Sequence, residues 1–289
     1  MAFLGIDAGA SSTKWVVSDG LTIKGRGVAD PMDGHIYREE SLARMTRVLR
    51  EIGTQARGIT AIYAGITGIS EQTRPTIIKM IGERFVSTKI HLVTDIELAY
   101  RAHFAPGEGI FLYAGTGAVA LHIAPDQKIT QVGGWGYLLG DEGGGYWIGR
   151  EAIRRILTAW DSGREIVAGS FEREILNAIS CENWNDIKAF VYSQNRSAIA
   201  ALTRNVFELS ERGDTDAQSI LRSAAQHLAF LVKQMDKRVA GKQVPVVFAG
   251  GLSQPGSYLW KNLEREITNS LSPSDVDIAE RAAQLAGNL

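Results

Sequence analysis

The residues best suited to hold a phosphate group form a small-residue turn over positions 7–14, Asp-Ala-Gly-Ala-Ser-Ser-Thr-Lys. Backbone N–H groups and hydroxyls of such a turn can face an anion, and an aspartate at a strand end can hold a hydrated Mg²⁺. The order differs from a P-loop, since a strand follows the turn instead of a helix. A tight β-hairpin turn with an exposed lysine is the alternative. The candidate binding residues are Asp7, Gly9, Ser11, Ser12, Thr13 and Lys14, with Asp7 as the metal ligand.

Two further glycine turns follow strands of the buried type. Positions 114–118 read Ala-Gly-Thr-Gly-Ala, which again places a hydroxyl between two glycines. Positions 248–253 read Phe-Ala-Gly-Gly-Leu-Ser, and a glycine pair at a strand end lets a base or ribose approach the backbone. Ordinary structural turns are the alternative at both places. A nucleotide whose phosphates lie between the turns at 7–14 and 114–118 would explain both of these turns. Gly115, Thr116 and Gly117 are then the candidate phosphate contacts, and Gly250 and Gly251 the candidate contacts of the base or ribose.

Asp95 is the candidate catalytic residue, because it ends a short apolar strand. An acid at the carboxyl end of a strand points to the place where open α/β sheets bind ligands. There its carboxylate can take a proton from a hydroxyl that attacks a phosphorus atom. The alternative is an N-cap for the helix that follows, a position that aspartate favours.

Positions 133–149 hold eight glycines in seventeen residues, interleaved with aromatic residues and an acidic pair. This composition suits a loop whose backbone approaches a small polar ligand. Trp135 would form a wall, and Asp141 or Glu142 would accept hydrogen bonds from hydroxyls. Gly134 and Gly136 complete the predicted substrate loop. A glycine-rich structural turn with a packed tryptophan is the alternative.

The polar loop at 30–35 adds Asp33 and His35 as candidate substrate contacts. The other four histidines are interpreted as surface or core residues, and the five together do not cluster at metal-ligand spacing.

Short apolar runs and helical spacing predict the elements that must position these residues. Strands are predicted over residues 3–6, 14–18, 21–28, 59–64, 89–93, 109–113, 118–123 and 244–249. Helices are predicted over residues 42–52, 76–85, 96–104, 146–160 and 214–239, with Gly241 as the stop of the last one. We expect helices in the remainder after residue 249. The strand–glycine turn–strand pattern occurs twice, which predicts two related halves.

Composition narrows the class of protein. The 289 residues fit two domains, and a net charge of -1 argues against nucleic acid or an anionic membrane as the main partner. Cys181 is the one cysteine, which excludes an intramolecular disulfide and a multi-cysteine metal site within one chain. Neither a membrane-spanning run nor the basic start of a signal peptide is recognisable, so we expect a cytoplasmic protein.

These motifs resemble, in the same order, those of the actin/hexokinase/Hsp70 ATPase superfamily. Residues 6–9 with 12–14 resemble its first phosphate motif, residues 114–117 its second, and residues 249–251 its adenosine motif. The block at 134–147 closely resembles the N-acetylglucosamine kinase branch. That branch also contains bacterial glucosamine kinases and BadF/BadG-type ATPase activators of acyl-CoA dehydratases and benzoyl-CoA reductases. The resemblance extends from residue 5 to about residue 255.

The resemblance implies an α/β fold of two ribonuclease-H-like (actin-like ATPase) domains, with mixed sheets flanked by helices and a central cleft that holds ATP and sugar. The domains would cover residues 1–105 and 106–289, the second with a helical insertion. Whether the last helix packs back on the first domain is left open. Since members of this family are often dimeric, we expect a homodimer.

Residue roles follow from the resemblance at matching positions. Asp7 would act through Mg²⁺, Thr13 and Thr116 would contact the phosphates, and Gly250 and Gly251 would border the adenosine. Asp95 matches the family's catalytic aspartate, and Gly134, Trp135 and Asp141 match its sugar contacts. The family's sugar kinases carry a substrate-reading asparagine in the loop after the third strand. The loop at 30–35 has none, which leaves the identity of the sugar open.

The resemblance therefore predicts an ATP-dependent kinase that phosphorylates a hydroxyl of an amino sugar, N-acetylglucosamine or glucosamine, or of a related hexose. Asp95 would be the base. The alternative is an ATPase subunit that activates a partner enzyme. Such activators share an iron–sulfur cluster between two subunits through cysteines, and the single Cys181 argues against this. A transcriptional regulator on the same scaffold would need a DNA-binding segment before residue 5, which we do not expect.

Overall fold

The computed structural model describes residues 1–9, 11–86, 88–239 and 243–289. The predicted helix stop at Gly241 lies outside them. The strands are β1 (Ala2–Ala8), β2 (Thr13–Ser18), β3 (Ile23–Ala29), β4 (Ile59–Ile66), β5 (Lys89–Val93), β6 (Ile110–Ala114), β7 (Ala118–Ile123), β8 (Ile129–Gly133), β9 (Val246–Ala249) and β10 (Leu271–Pro273). The helices are α1 (Glu39–Gln55), α2 (Arg74–Arg84), α3 (Asp95–His103), α4 (Gly145–Asp161), α5 (Phe171–Ala178), α6 (Trp184–Ser193), α7 (Arg196–Ala201), α8 (Thr203–Glu211), α9 (Thr215–Asp236), α10 (Tyr258–Glu266) and α11 (Ile278–Ala286).

The described chain forms two compact units. Unit 1 comprises Met1–Phe104 with Asp275–Leu289, and unit 2 comprises Ala105–Ser274. The sheet of unit 1 has the order β3-β2-β1-β4-β5, and that of unit 2 has the order β8-β7-β6-β9-β10. In each sheet the first three strands are antiparallel and the last two continue parallel to the central one. Each unit therefore repeats one mixed α/β topology.

The middle strand of unit 1 is buried because helices cover the sheet. Leu4, Ile6 and Ala8 of β1 have no exposed surface. The core beneath them contains the apolar stripe of α1, formed by Met45, Val48 and Ile52. In unit 2 the long α9 packs its buried stripe against β6, β7 and β8. The helical periodicities predicted for α1 and α9 are thus confirmed. No described helix is long and apolar enough to cross a membrane.

Two strands correct the sequence-based expectations. β8 includes Gly133, which was assigned to the start of the substrate loop. β10 lies in a region expected to be entirely helical. Both are edge strands, and most of their residues are exposed or half-buried, so they lack the apolar runs that mark central strands.

Gly5→Ala is expected to destabilise the protein by about 1–3 kcal/mol or more. An added Cβ would lie 2.1 Å from the carbonyl oxygen of Ala279, so α11 could not keep its contact with β1. Thermal unfolding measures the loss. Gly82→Ala is the matched control, because its Cβ would meet only Ile90 Cδ1 at 3.7 Å and alanine favours the interior of a helix. Equal stability of the two variants would contradict this account of the contact.

Candidate active site

Asp7, the predicted metal ligand, and Asp95, the predicted base, lie at the carboxyl ends of two strands in a set of three neighbouring parallel strands. Asp7 of β1 is in register with Gly65 of β4, and Gly65 is in register with Val93 of β5. Asp95 begins α3 two residues after Val93. A Cβ at Gly65 would lie 2.5 Å from Leu98 Cβ, so the glycine lets α3 approach the sheet closely. The topology therefore brings two carboxylates to one edge, the usual ligand site of open α/β sheets.

Electrostatics couples these two carboxylates. Burial raises the pKa of Asp7 to about 6, and the negative charges of Asp95 and Asp277 add to the rise, while Lys14 opposes it. Burial also raises the pKa of Asp95. The carboxylates of Asp7 and Asp95 repel each other when both are charged. A cation bound beside them would relieve this repulsion.

Hydrogen bonds fix the orientation of Asp95. Its Oδ1 accepts the backbone N–H of Ile96 at 3.0 Å, and the hydroxyl of Thr67 donates to the same carboxylate, which lowers its pKa against the effect of burial. The alternative role as helix N-cap is wrong. That position belongs to Thr94, whose hydroxyl accepts the N–H of Glu97 at 3.2 Å. Asp95 therefore belongs to the first helical turn, and its carboxylate is not used as the cap.

Thr67→Val is expected to move the acidic limb of the kcat profile to higher pH. Loss of the donated hydrogen bond removes an interaction that favours the ionised form of Asp95, so the pKa of the carboxyl rises. A pH series of initial rates measures the shift. Thr67→Ser keeps a hydroxyl and is the control. Identical profiles for the Val and Ser variants would show that Thr67 does not tune Asp95.

The loop at 30–35 is tied to the same edge of the sheet. Asp33 and Thr67 form an isolated parallel β-bridge through their backbones. The N–H of Gly34 donates to the carbonyl of Thr67 at 2.8 Å. Asp33 Oδ1 lies 3.0 Å from His35 Nδ1, and its other oxygen accepts the hydroxyl of Ser41 at 3.2 Å. Burial raises the pKa of Asp33, but the hydrogen bonds that its carboxylate accepts from the backbone N–H of His35, the His35 ring and Ser41 prevail and lower it. Asp33 thus holds the loop together, while the imidazole of His35 remains partly exposed.

The turn at 9–14 leaves some predicted residues accessible and buries another. Gly9 N–H donates to the carbonyl of Ser12 at 3.0 Å, which makes this a tight hairpin turn. The side chains of Ser11 and Lys14 are exposed. Thr13 has no exposed surface, and its hydroxyl has no partner within the described ranges. Direct contact of Thr13 with a phosphate would therefore require the turn to change, whereas Ser11 and Lys14 are available as it stands.

In unit 2 the turn at 115–117 is joined to the beginning of α4. The carbonyl of Gly115 accepts the N–H of Gly145 at 2.8 Å, and that of Thr116 accepts the N–H of Tyr146 at 2.9 Å. The positive end of the α4 dipole therefore lies at this turn, which favours a nearby anion. Thr116 itself is half-buried.

Asp141 packs against the turn at Gly117. The Asp141 Oδ2 would lie 2.3 Å from a Cβ at Gly117, which only glycine permits. Burial raises the pKa of Asp141, and the N–H groups of Gly136 and Ala118 oppose the rise by donating to its carboxylate. Its Oδ1 is buried, with no partner in the part of the chain that the structure describes. Asp141 therefore orders the predicted substrate loop and retains an acceptor oxygen.

The rest of that loop is open. The indole of Trp135 is 71% exposed, so it is free to form the predicted wall. Gly134 and Gly136 both have positive φ, and a Cβ at Gly136 would meet nothing within 4 Å. The carboxylate-bearing side chain of Glu142 is exposed.

The two predicted adenosine glycines differ. Gly250 has a φ of 97°, and a Cβ there would lie 2.3 Å from the carbonyl oxygen of Ala114, so glycine is required by packing. A Cβ at Gly251 would meet nothing within 4 Å, which leaves its backbone open to a flat group. Parallel pairing of β6 with β9 places this pair beside the turn at 115–117.

The described residues contain no group of three or more His, Cys, Asp or Glu side chains that could hold a metal by themselves. Mg²⁺ is a different case, since proteins hold it through one or two carboxylates together with substrate phosphates. Asp7 and the neighbouring Asp95 provide such a partial donor set.

The sequence matches the model of the BadF/BadG/BcrA/BcrD ATPase family over residues 4–284. The chain belongs to this family. The match confirms the family predicted from the motifs.

Named relatives extend over nearly the whole chain. An N-acetylmuramic acid/N-acetylglucosamine kinase of Clostridium acetobutylicum is 29% identical over 276 residues, covering 91% of this chain and 89% of that protein. An N-acetyl-D-glucosamine kinase of Dictyostelium discoideum is 24% identical, covering 95% and 92%. A solved structure from Porphyromonas gingivalis, named as a candidate N-acetylglucosamine kinase, has a TM-score of 0.79 at 21% identity and covers 99% of each chain. The predicted fold class, two ribonuclease-H-like (actin-like ATPase) units with mixed sheets flanked by helices, is confirmed.

Sequence reasoning missed Thr67. The motif Gly-Ile-Thr-Gly at 65–68 places a hydroxyl beside glycine at a strand end, the same signal used for the turn at 115–117. The predicted strand over 59–64 ends just before this motif, and Thr67 received no role.

Proposed function

We propose that this chain is an ATP-dependent kinase that transfers the γ-phosphoryl group to a hydroxyl of an amino sugar. One observation carries the proposal: the coupled carboxylates Asp7 and Asp95 at the strand ends of unit 1. Support comes from the family and from relatives named as kinases of N-acetylglucosamine and N-acetylmuramic acid.

In the reaction, Asp95 accepts the proton of the attacking sugar hydroxyl. The hydroxyl oxygen forms the new bond to the γ-phosphorus, and the bond from that phosphorus to ADP breaks. Asp95 is suited to this step because burial raises its pKa towards the working pH, while Thr67 and Ile96 keep its carboxylate oriented.

Positive charge and hydrogen-bond donors stabilise the phosphates. Asp7 would hold Mg²⁺, which neutralises phosphate charge when bound. The hydroxyls of Ser11 and Ser12, together with Lys14, are assigned to the phosphates in unit 1. In unit 2, Thr116 and the flanking Gly115 and Gly117 share that role, and Gly251 borders the adenosine.

Each of the two polar loops offers groups that suit a sugar. Trp135 offers an exposed ring face. The buried Oδ1 of Asp141, which has no partner among the described residues, is assigned to a sugar hydroxyl once a shift of the loop exposes it. Gly134, Gly136 and Glu142 complete that loop, and His35, oriented by Asp33, contributes from the loop at 30–35. The predicted homodimer and cytoplasmic location belong to the same proposal.

The alternative, an ATPase activator of a partner enzyme, is disfavoured by Cys181. Its side chain is 3% exposed, and burial raises the pKa of its thiol, so it is poorly placed to bind a cluster shared between subunits.

Coupled ADP release with Mg·ATP over a panel of hexoses and amino sugars tests the proposal. We expect ADP release that depends on an amino sugar. ADP release at the same rate without any sugar would contradict the kinase and favour the ATPase. Thermal shift is a companion measurement, since a ligand at about 100 times its Kd stabilises by roughly 2.7 kcal/mol.

A further inference from the structure

A guanidinium stands over the substrate loop of unit 2, and the proposed function gives it no role. Arg196 Cζ lies 5.8 Å from the centroid of the Tyr137 ring, which itself meets Tyr146 edge-on at 4.8 Å. Tyr137 lies in the loop between Trp135 and Asp141. The side chain of Arg196 is exposed, and it forms no ion pair among the residues that the structure describes.

Packing holds this arginine in place. Arg196 begins α7, and the Asn195 side chain accepts the N–H groups of Ser197 and Ala198 at 3.0 and 3.2 Å. α7 lies directly against α4, because a Cβ at Gly149 would fall 1.9 Å from the Ile199 carbonyl oxygen. Since α4 continues directly from the substrate loop, the backbone of Arg196 is fixed relative to that loop.

The loop beneath it is acidic. Asp141 and Glu142 would repel a ligand that carries a negative charge, unless a cation lies among them. Burial raises the pKa of Asp141, and the charge of Arg196 acts against that rise, so the two groups share one electrostatic field. The positive charge of the Arg196 guanidinium can therefore offset the repulsion between these two carboxylates and an anionic ligand.

We propose that Arg196 binds an anionic substituent of the sugar, so that the substrates include amino sugars that carry a carboxylate. A guanidinium presents a planar fork of donors that matches a carboxylate. Contact of one face with Tyr137 restrains this fork and leaves its edge accessible. The inference rests on the proposed kinase function and names the residue that selects within its substrate class.

The test compares kcat/KM for N-acetylmuramic acid, which carries a carboxylate, with kcat/KM for neutral N-acetylglucosamine. The full chain, Arg196→Gln, Arg196→Lys and Arg204→Gln are assayed with Mg·ATP. Arg204 is the matched control, an exposed arginine on the adjacent helix α8. We expect the acidic-to-neutral ratio to fall about 10–100-fold in Arg196→Gln, because Asp141 and Glu142 remain. Arg196→Lys should give an intermediate ratio, and Arg204→Gln the parent ratio.

A ratio for Arg196→Gln within about twofold of the parent would overturn the inference and leave Arg196 as a counter-ion of Asp141. If that variant fails to fold, Arg196→Lys still decides, since a ratio within about twofold of the parent would contradict the role of the guanidinium fork and a lower ratio would support it. A parent enzyme that phosphorylates N-acetylglucosamine but not N-acetylmuramic acid would overturn the inference alone. A parent inactive on both sugars, with ADP release that no amino sugar changes, would contradict the proposed function as well.

Discussion

Asp95→Asn is expected to lower kcat by about 10²–10⁴ while ATP and sugar still bind. The amide keeps the size of the side chain and can still accept the N–H of Ile96, so the local structure should persist. It cannot take the proton of the attacking hydroxyl. Steady-state rates with an amino sugar, together with thermal shifts by ATP and by the sugar, measure the two effects separately.

Asp161→Asn is the matched control for that variant. Asp161 ends α4 and is exposed, so its substitution should leave both rate and binding near the parent values. Turnover of Asp95→Asn close to that of the control would remove Asp95 from the role of base. A variant that lost both binding and turnover would instead place Asp95 among residues that hold the fold or the ligands.

Asp7→Asn is expected to abolish most of the activity and yet stabilise the protein. The amide is a weaker Mg²⁺ ligand than a carboxylate, so the phosphates lose a charged anchor. The gain in stability follows from the coupling between folding and the protonation of Asp7. Burial raises the pKa of Asp7 to about 6 in the folded state, so the stabilisation by its neutral form is complete below the unfolded pKa of 3.8. That stabilisation is lost as pH rises through about 6.

At pH 7.5 the charged carboxylate of Asp7 therefore costs stability, and a neutral amide removes the cost. The shift from 3.8 to about 6 corresponds to at most about 3 kcal/mol, and we expect a gain of about 1–3 kcal/mol without Mg·ATP. Thermal unfolding at pH 7.5 and at pH 4 checks the sign, since the gain should shrink at the lower pH. A variant that is less stable than the parent at pH 7.5 would show that Asp7 supports the fold instead of serving the ligand.

The loss of activity at acid pH is expected to follow the titration of Asp7. Because Asp7 must be ionised to hold the metal, kcat/KM for Mg·ATP in the parent enzyme should fall as pH drops below about 6. The coupled carboxylates titrate as a pair, so the observed limb belongs to both Asp7 and Asp95.

Local sequence patterns sufficed to find the carboxylates at the strand ends. Asp7 and Asp95 each interrupt or follow an apolar run, and such runs mark buried strands wherever the chain places them. The glycine turn at 115–117 was found in the same way. The register of a parallel sheet then brings residues at the strand ends together. The strand–glycine turn–strand pattern, which occurs twice, likewise sufficed to predict two related halves.

Other residues could not be recognised because their partners lie far along the chain. The motif at 65–68 marks Thr67 as a hydroxyl at a strand end, but it does not reveal that the partner is Asp95 at the end of a different strand. Arg196 begins a short helix that, taken alone, has an ordinary solvated end. Only the close contact of α7 with α4 at Gly149 places it over Tyr137. The burial of Thr13 likewise depends on the sheet around it, not on the turn that precedes it.

Product analysis by ³¹P NMR tests the central claim most directly. The full chain is incubated with Mg·ATP and N-acetylglucosamine or N-acetylmuramic acid, and the phosphorus-containing products are quantified over time. The account predicts one sugar phosphate for each ADP with at least one of these amino sugars, and almost none from Asp95→Asn. Formation of ADP and inorganic phosphate alone, at a rate that no amino sugar changes, would contradict it.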